Sequence, residues 1–341
     1  MSGGGAYEAS GVSIERGEHA ARMMRTAVER THGPRVLGGT GGFAGLYDLS
    51  GYREPVLAST VDGVGTKVLV ARTVGRYRSL GADVVNHCAN DVLTVGARPL
   101  LFLDYLGTGR LEPEAAAEVV GAMAEACAAL GVALVGGETA EMPGLYAAGD
   151  FEIVGMCVGA CERGEVVTGE GVRPGDAVIG LASSGLHTNG YTLARRVVEE
   201  AGLSYDDTPE GLDRPLGEVY LEPHRPYLRE VEALRSEVEV RGMAHITGGG
   251  LPGNLPRALG GFGVELDPSS WEEPPVFGFI RDRGGIPEEE MRRVFNLGVG
   301  FCAVVPARQA ERAVGVVREA GCAAWHIGTV VGERGVRFVS T

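Results

Sequence analysis

Val56-Leu57-Ala58-Ser59-Thr60-Val61-Asp62-Gly63-Val64-Gly65-Thr66-Lys67 reads as a short apolar strand closed by a carboxylate, two glycines, a hydroxyl and a lysine. A carboxylate can hold a hard divalent cation, glycines let backbone N–H groups approach oxygens closely, and a lysine offers a point charge to phosphate. The set suits a metal-bound polyphosphate. It is not a Walker A loop, because the hydroxyl precedes the lysine and the spacing of the glycines is wrong, which directs the reading away from P-loop folds.

Around this stretch the chain has 341 residues and 44% hydrophobic content, enough for two domains each with its own core. A formal charge of -14 argues against a nonspecific nucleic-acid surface. An anionic substrate must then be held by local cations and backbone amides, and metal ions can offset the repulsion. Cys88, Cys127, Cys157, Cys161, Cys302 and Cys322 fall in apolar runs without the paired spacing of a zinc site, so they read as buried free thiols. Met1-Ser2-Gly3-Gly4-Gly5 lacks the basic start and apolar core of a signal peptide, and no apolar run approaches a membrane span of roughly 20 residues. A cytoplasmic enzyme is the expectation.

Short apolar runs at 56–61, 100–106, 132–135 and 151–158 predict strands, and helices are expected over 80–95 and from Pro113 to Leu130, the latter stopped by Gly131. The pattern weakens over 164–176, ending in Arg173-Pro174-Gly175-Asp176, which marks a domain boundary. Beyond it, strands are expected at 177–182, 242–246, 263–266, 296–305 and 324–330, and helices at 190–201 and 227–238. The organisation predicted is an α+β fold with segregated sheets: an extension over 1–6, an N-terminal domain over 7–170 and a C-terminal domain over 171–341.

Several segments at the ends of these elements carry chemistry. Gly38-Gly39-Thr40-Gly41-Gly42-Phe43-Ala44-Gly45 follows no strand, so a flap over a nucleotide fits it better than a dinucleotide fingerprint; a plain surface loop is the alternative. Asp62, Asp91 of Asn90-Asp91, and Glu138 of Gly136-Gly137-Glu138-Thr139 are acids beside apolar elements, and together they suit an oxygen-liganded magnesium or calcium ion. Ser183-Ser184-Gly185-Leu186-His187-Thr188-Asn189-Gly190 joins a strand to a helix and reads as an anion seat or an ordinary N-cap. His245-Ile246-Thr247-Gly248-Gly249-Gly250 repeats that design with a histidine able to move a proton or bond a phosphate. His19, His32, His224 and His326 receive no role.

Asp62-Gly-Val-Gly-Thr-Lys67, Gly136-Gly-Glu-Thr-Ala-Glu-Met-Pro-Gly144, Ser184-Gly-Leu-His-Thr-Asn-Gly190 and His245-Ile-Thr-Gly-Gly-Gly250 together closely resemble the phosphoribosylformylglycinamidine cyclo-ligase family, the aminoimidazole ribonucleotide synthetases of purine biosynthesis. Tyr7-Glu-Ala-Ser-Gly-Val12, Leu101-Phe-Leu-Asp-Tyr105 and Phe295-Asn-Leu-Gly-Val-Gly300 extend the match over nearly the whole chain. The resemblance implies an ATP- and magnesium-dependent ring closure of formylglycinamidine ribonucleotide. It also implies a homodimer whose ferredoxin-like N-terminal mixed sheets join in a barrel-like interface, flanked by C-terminal α/β sandwich domains. Carried over to this chain, it assigns Asp62, Asp91 and Glu138 to magnesium. Gly39, Gly41, Gly42, Thr66, Lys67, Asn90 and Thr139 go to ATP. Ser184, Thr188, Asn189, Thr247, Gly248 and Gly249 go to the ribose or transferred phosphate. Lys67, His187 and His245 are the catalytic candidates.

The chain departs from the family at Asn86-His87-Cys88-Ala89, where members often carry Met-Cys-Val, and at Leu106-Gly107, where Tyr-Ala is common; neither removes an assigned group. The related amidine synthetase is usually longer or split into subunits. Selenophosphate synthetase carries a reactive N-terminal Cys or selenocysteine, whereas the first cysteine here is Cys88, and thiamine-phosphate kinase leaves Gly144-Leu-Tyr and His245-Ile-Thr-Gly-Gly-Gly250 unexplained. A nucleotide sensor without catalysis predicts lost catalytic groups, yet Asp62, Lys67, Asp91, Glu138, His187 and His245 are all present.

Overall fold

A computed structural model describes residue 8 and residues 10–339; the extension expected over 1–6 lies outside them. A hairpin of β1 (Val36–Leu37) and β2 (Leu46–Tyr47) brackets the glycine-rich loop. Two separate sheets follow, as the segregated α+β reading requires. The first has strand order β3-β6-β4-β5, built from β3 (Pro55–Gly63), β4 (Arg98–Thr108), β5 (Ala133–Glu141) and β6 (Phe151–Glu162). Only β4 and β5 run parallel, joined by the helix Pro113–Leu130 as a crossover. Gly131 ends that helix in the left-handed conformation with φ 67.

The second sheet has the order β12-β9-β11-β7-β10-β8. Its strands are β7 (Ala177–Ala182), β8 (Gly242–His245), β9 (Gly263–Leu266), β10 (Val299–Val305), β11 (Ala324–Val331) and β12 (Gly335–Phe338). β10 and β7 are buried along nearly their whole length, which explains their unbroken apolar runs. The helices Ile14–Glu29, Pro275–Gly284 and Ala310–Glu319 complete the layers.

Strand alternation gives the first sheet two unlike faces. Asp62, Gly155, Asp104 and Gly137 lie in register across β3, β6, β4 and β5. This row faces the helix Arg78–Leu93, because a Cβ on Gly155 would meet Phe102 Cζ at 2.2 Å and Val84 Cγ2 at 2.8 Å. The adjacent row, Val61, Met156 and Leu103, faces the other way, and Val61 is 61% exposed.

Gly155 is therefore a packing requirement of the helix-on-sheet layer. Gly155→Ala is expected to destabilise the protein by about 1–3 kcal/mol through overpacking. Denaturant unfolding checks this, and an unchanged midpoint would contradict the packing described.

Candidate active site

The helix Arg78–Leu93 is buried along most of its length, yet Asp83, Asn86, His87, Asn90 and Asp91 follow one another at helical spacing. This polar stripe faces the C-terminal half and grips the segment 222–227. The Asn86 Nδ2–H donates to His224 O at 2.7 Å, and Asn90 both donates to Arg225 O at 2.8 Å and accepts from Tyr227 N at 3.0 Å. Asp83 Oδ1 accepts from His224 N at 2.7 Å. Its other oxygen lies 2.8 Å from Lys67 Nζ, with both side chains fully buried. Lys67 also donates to Glu222 O at 2.8 Å and His187 O at 3.2 Å, and sits 5.5 Å from the Tyr191 ring centre. Burial presses both ions toward neutrality, lowering the Lys67 pKa and raising that of Asp83, while their mutual attraction opposes this.

Two expectations change here. Lys67 is enclosed by protein acceptors and offers no exposed charge to a phosphate, and Asn90 has both ends of its amide engaged in docking 225–227. In this geometry both are engaged by protein groups of the C-terminal half. Their local pattern gave no sign of burial, because the backbone that covers them comes from residues 120 or more positions later in the chain.

Beside this pair runs a buried line of imidazoles. His87 Nε2 forms an ion pair with Asp62 Oδ2 at 2.9 Å, and its Nδ1 lies 2.6 Å from Thr188 Oγ1. Thr188 Oγ1 lies 3.4 Å from His224 Nδ1, His224 Nε2 lies 2.9 Å from His245 Nε2, and His245 Nδ1 lies 2.8 Å from Asp91 Oδ1. Thr60 Oγ1 donates to Asp91 Oδ2 at 3.2 Å and Gly63 N–H to Asp62 Oδ1 at 2.7 Å. Burial opposes charge on His87, but the carboxylate of Asp62, with those of Asp91 and Asp83, outweighs it and raises its pKa. Asp62 and Asp91 are correspondingly lowered, burial being outweighed in each by its histidine.

His187 adopts φ 61 and stacks on His224 with ring centres 3.9 Å apart. Its Nε2 accepts from Ser184 N at 3.2 Å, so its hydrogen sits on Nδ1, which is buried without a partner. Burial and the neighbouring His245, Lys67 and His87 push its pKa well below the usual imidazole value and keep it neutral. The motif at 295–300 supports this corner. Asn296 bonds Ser183 and Gly185, and a Cβ on Gly300 would meet Tyr227 Oη at 2.1 Å and His187 Cε1 at 2.5 Å.

The two C-terminal loops expected to hold phosphate do come together, since a Cβ on Gly248 would lie 3.3 Å from Asn189 Oδ1. Thr188 is enclosed in the imidazole line, and Ser184 Oγ donates to Pro223 O at 2.6 Å. Asn189, Thr247, Gly248 and Gly249 stay at least partly exposed, with Asn254 Nδ2 bonding the carbonyls of Thr247, Gly248 and Gly250. A cleft of about 280 Å³ opens alongside, lined by Asp91, Thr94, Thr168, His245, Asn254 and Arg257.

The expected metal triad is not assembled. Asp62 and Asp91 both contact the imidazole line, but three strand spacings, about 14 Å, separate the backbones of Asp62 and Gly137. Glu138, one residue on, points to the opposite face and is exposed, as is Thr139. Strand order decides this, and no local pattern encodes it. The groups beside Asp62 and Asp91 are imidazoles, so the donor set is mixed nitrogen and oxygen, which does not match an all-oxygen magnesium triad. Gly39, Gly41 and Gly42 are exposed, and Gly39 and Gly41 meet no atom within 4 Å where a Cβ would stand. Thr66 Oγ1 lies 3.1 Å from Thr192 Oγ1 across the two halves.

His87, His224, Asn254 and Arg257 are the site residues that sequence reasoning missed. The spacing of Asp83, His87 and Asn90 on an otherwise apolar helix was a usable signal for the first. His224, in Pro223-His224-Arg225-Pro226, carries none beyond residue type.

This architecture is that of the AIR synthase related proteins: the N-terminal domain description of that family matches residues 42–161 and the C-terminal one residues 173–340. A Picosynechococcus protein named phosphoribosylformylglycinamidine cyclo-ligase is 47% identical over 96% of this chain and 98% of its own length. Proteins of that name from Myxococcus xanthus and Geobacillus kaustophilus are 48% and 47% identical over at least 97% of each chain. The chain belongs to the phosphoribosylformylglycinamidine cyclo-ligase family. Among solved structures, the thiamine-monophosphate kinase of Stenotrophomonas maltophilia shares the fold with TM-score 0.71 at 17% identity, covering 94% of this chain and 95% of that one. HypE of E. coli, a hydrogenase maturation protein, does so with TM-score 0.69 at 19% identity, covering 96% and 93%.

The His87 contact fixes a pH signature. A histidine whose folded pKa is raised contributes stability fully present below its unfolded value, about 6.5, and lost as pH rises through the folded value. In chelator-treated protein, the stability gap between the parent and His87→Gln is expected to be widest below about pH 6.5 and to narrow above it. A gap that widens with pH would contradict the assignment.

Proposed function

We propose that this chain closes formylglycinamidine ribonucleotide to 5-aminoimidazole ribonucleotide, using ATP and releasing ADP and phosphate. The observation that carries the reading is the near-full-length similarity to cyclo-ligases, joined to two C-terminal loops that meet beside a cleft. A formamide oxygen is a poor leaving group. Transfer of the γ-phosphoryl group to it gives an iminophosphate, whose carbon the substrate's amidine nitrogen attacks, and phosphate then departs as the imidazole closes.

The residues take roles their surroundings permit. Asn189, Thr247, Gly248 and Gly249 supply exposed polar and backbone groups for a phosphate. Gly39, Gly41, Gly42, Thr66 and Thr139 remain the candidates for ATP. His187, neutral with a free Nδ1–H, suits hydrogen bonding to an oxygen better than proton abstraction. His245, hydrogen-bonded to Asp91 and bordering the cleft, is the better placed for proton transfer. Lys67 acts by holding the His187 carbonyl. A divalent cation, when bound, neutralises phosphoryl charge, and Asp62, half-exposed at the end of β3, is the carboxylate of this chain best open to one. Glu138, which the family resemblance also assigns to magnesium, lies on the other face of the sheet.

The same reading divides the chain at 170/171 and takes the N-terminal sheet as ferredoxin-like in layering, helices on one face and the other open. Leu57, Val61 and Met156 on that open face form an exposed apolar surface suited to a second copy, a homodimer. Among the described residues no helix is long and apolar enough to cross a membrane; a cytoplasmic setting and no nucleic-acid partner complete the proposal.

Incubation with formylglycinamidine ribonucleotide and magnesium-ATP should yield ADP and aminoimidazole ribonucleotide together. No product under those conditions would sink the proposal. Asp62→Asn should lower turnover by about 100-fold and raise the magnesium requirement, as expected when a charge-stabilising group is removed. Unchanged turnover would remove Asp62 from the site.

A further inference from the structure

The nitrogen-rich surroundings of Asp62 and Asp91 carry a consequence of their own. One ligand atom from each of His87, Asp91 and His245 falls within 4.8 Å of the others. Asp62 Oδ2 lies 2.9 Å from His87 Nε2. A tetrahedral zinc ion with bonds of about 2.0–2.1 Å sets its ligands about 3.3 Å apart, so side-chain rotations that draw the trio together give it one centre.

Each group is also held from behind, as metal ligands are. Thr188 Oγ1 lies 2.6 Å from Nδ1 of His87, and His224 Nε2 lies 2.9 Å from Nε2 of His245. Thr60 Oγ1 donates to the second oxygen of Asp91, and the Gly63 N–H to that of Asp62. That leaves one atom each of His87, Asp91 and His245 to meet an ion, while Asp62 stands beside His87 and outside the trio. Asp91 and His245 line the cleft of about 280 Å³, which supplies an entry path.

A second trio, His187, His224 and His245, is equally close but less suited. The His187 and His224 rings stack at 21°, so their lone pairs run nearly parallel, and His187 Nε2 already accepts from Ser184.

We propose that His87, Asp91 and His245, with solvent in the fourth position, form a site for a borderline divalent transition-metal ion of the zinc and cobalt class. Two imidazoles and one carboxylate favour such an ion, whereas magnesium prefers oxygen and keeps its waters. The ion ties the helix Arg78–Leu93 to β8, and so links the two halves of the chain. His87 stands where family members often carry Met-Cys-Val, so the site belongs to this chain and to relatives sharing that histidine. Its existence does not depend on which reaction the protein catalyses.

The test uses full-length, metal-free protein without nucleotide. Cobalt is titrated while visible absorption is recorded, and zinc is then added in competition. The proposal expects one cobalt per chain, the intense absorption of a four-coordinate site, displacement by zinc, no displacement by excess magnesium, and a raised melting temperature with zinc but not magnesium. His87→Gln and His245→Gln, with folding checked by circular dichroism, should each weaken cobalt binding by more than about 100-fold, beyond the usual effect of losing a supporting partner. No saturable cobalt binding to the parent protein overturns the proposal whatever the variants do, as does ready displacement by magnesium. Binding unchanged in a folded variant removes that histidine from the site.

Discussion

The Lys67–Asp83 pair is the contact on which the remaining site geometry depends. Both ions are fully buried, and burial of charge is tolerated only when partners satisfy it. Here the partners are backbone groups of the C-terminal half: the carbonyls of His187 and Glu222 accept from Lys67, and the His224 N–H donates to Asp83. The pair therefore fixes where two site loops lie relative to the first sheet. Hydrophobic packing between the halves resists separation but would tolerate sliding, whereas a buried ion pair with directional hydrogen bonds has one satisfactory arrangement.

That placement accounts for the histidines. Once His224 is seated by Asp83 and Asn86, its ring falls between His245 and Thr188, and His87 projects from the same helix one turn beyond Asp83. Four imidazoles are thereby buried next to two carboxylates whose own pKa values are held low. Desolvation keeps His187 and His224 neutral, whereas proximity to Asp62 raises the pKa of His87. One residue type thus has its pKa moved in opposite directions within a few ångströms, set by which neighbour each ring faces.

Much of this protein was legible before its coordinates. The strands at 177–182 and 263–266 and the helix ending at Gly131 carry strong local signals, apolar runs between turn residues and a glycine at a left-handed stop, and the structure has them at those positions. Segregated sheets followed from the same pattern. Local signals do not report what covers a residue. Lys67 follows a glycine-rich turn and reads as an exposed phosphate ligand, yet the cover over it comes from 187 and 222. Glu138 reads as a partner of Asp62 because both end strands, but they lie on opposite edges and opposite faces of one sheet. Both placements have one cause: strand order and domain docking are long-range outcomes. His87 was legible in principle, as a polar residue in step with Asp83 and Asn90 on a buried helix.

The structural neighbours share this two-sheet fold at low identity, so fold by itself does not define the reaction, and the chemistry resides in the side chains that the Lys67–Asp83 pair brings together. The most direct measurement is a double-mutant cycle on that pair by denaturant unfolding, with Lys67→Met, Asp83→Leu and the double variant. Each single change leaves a buried charge uncompensated and is predicted to lose about 3–5 kcal/mol, while the double variant loses well under the sum of the two. Small losses that simply add would contradict the account, because they would mean that the two halves find their arrangement without the pair.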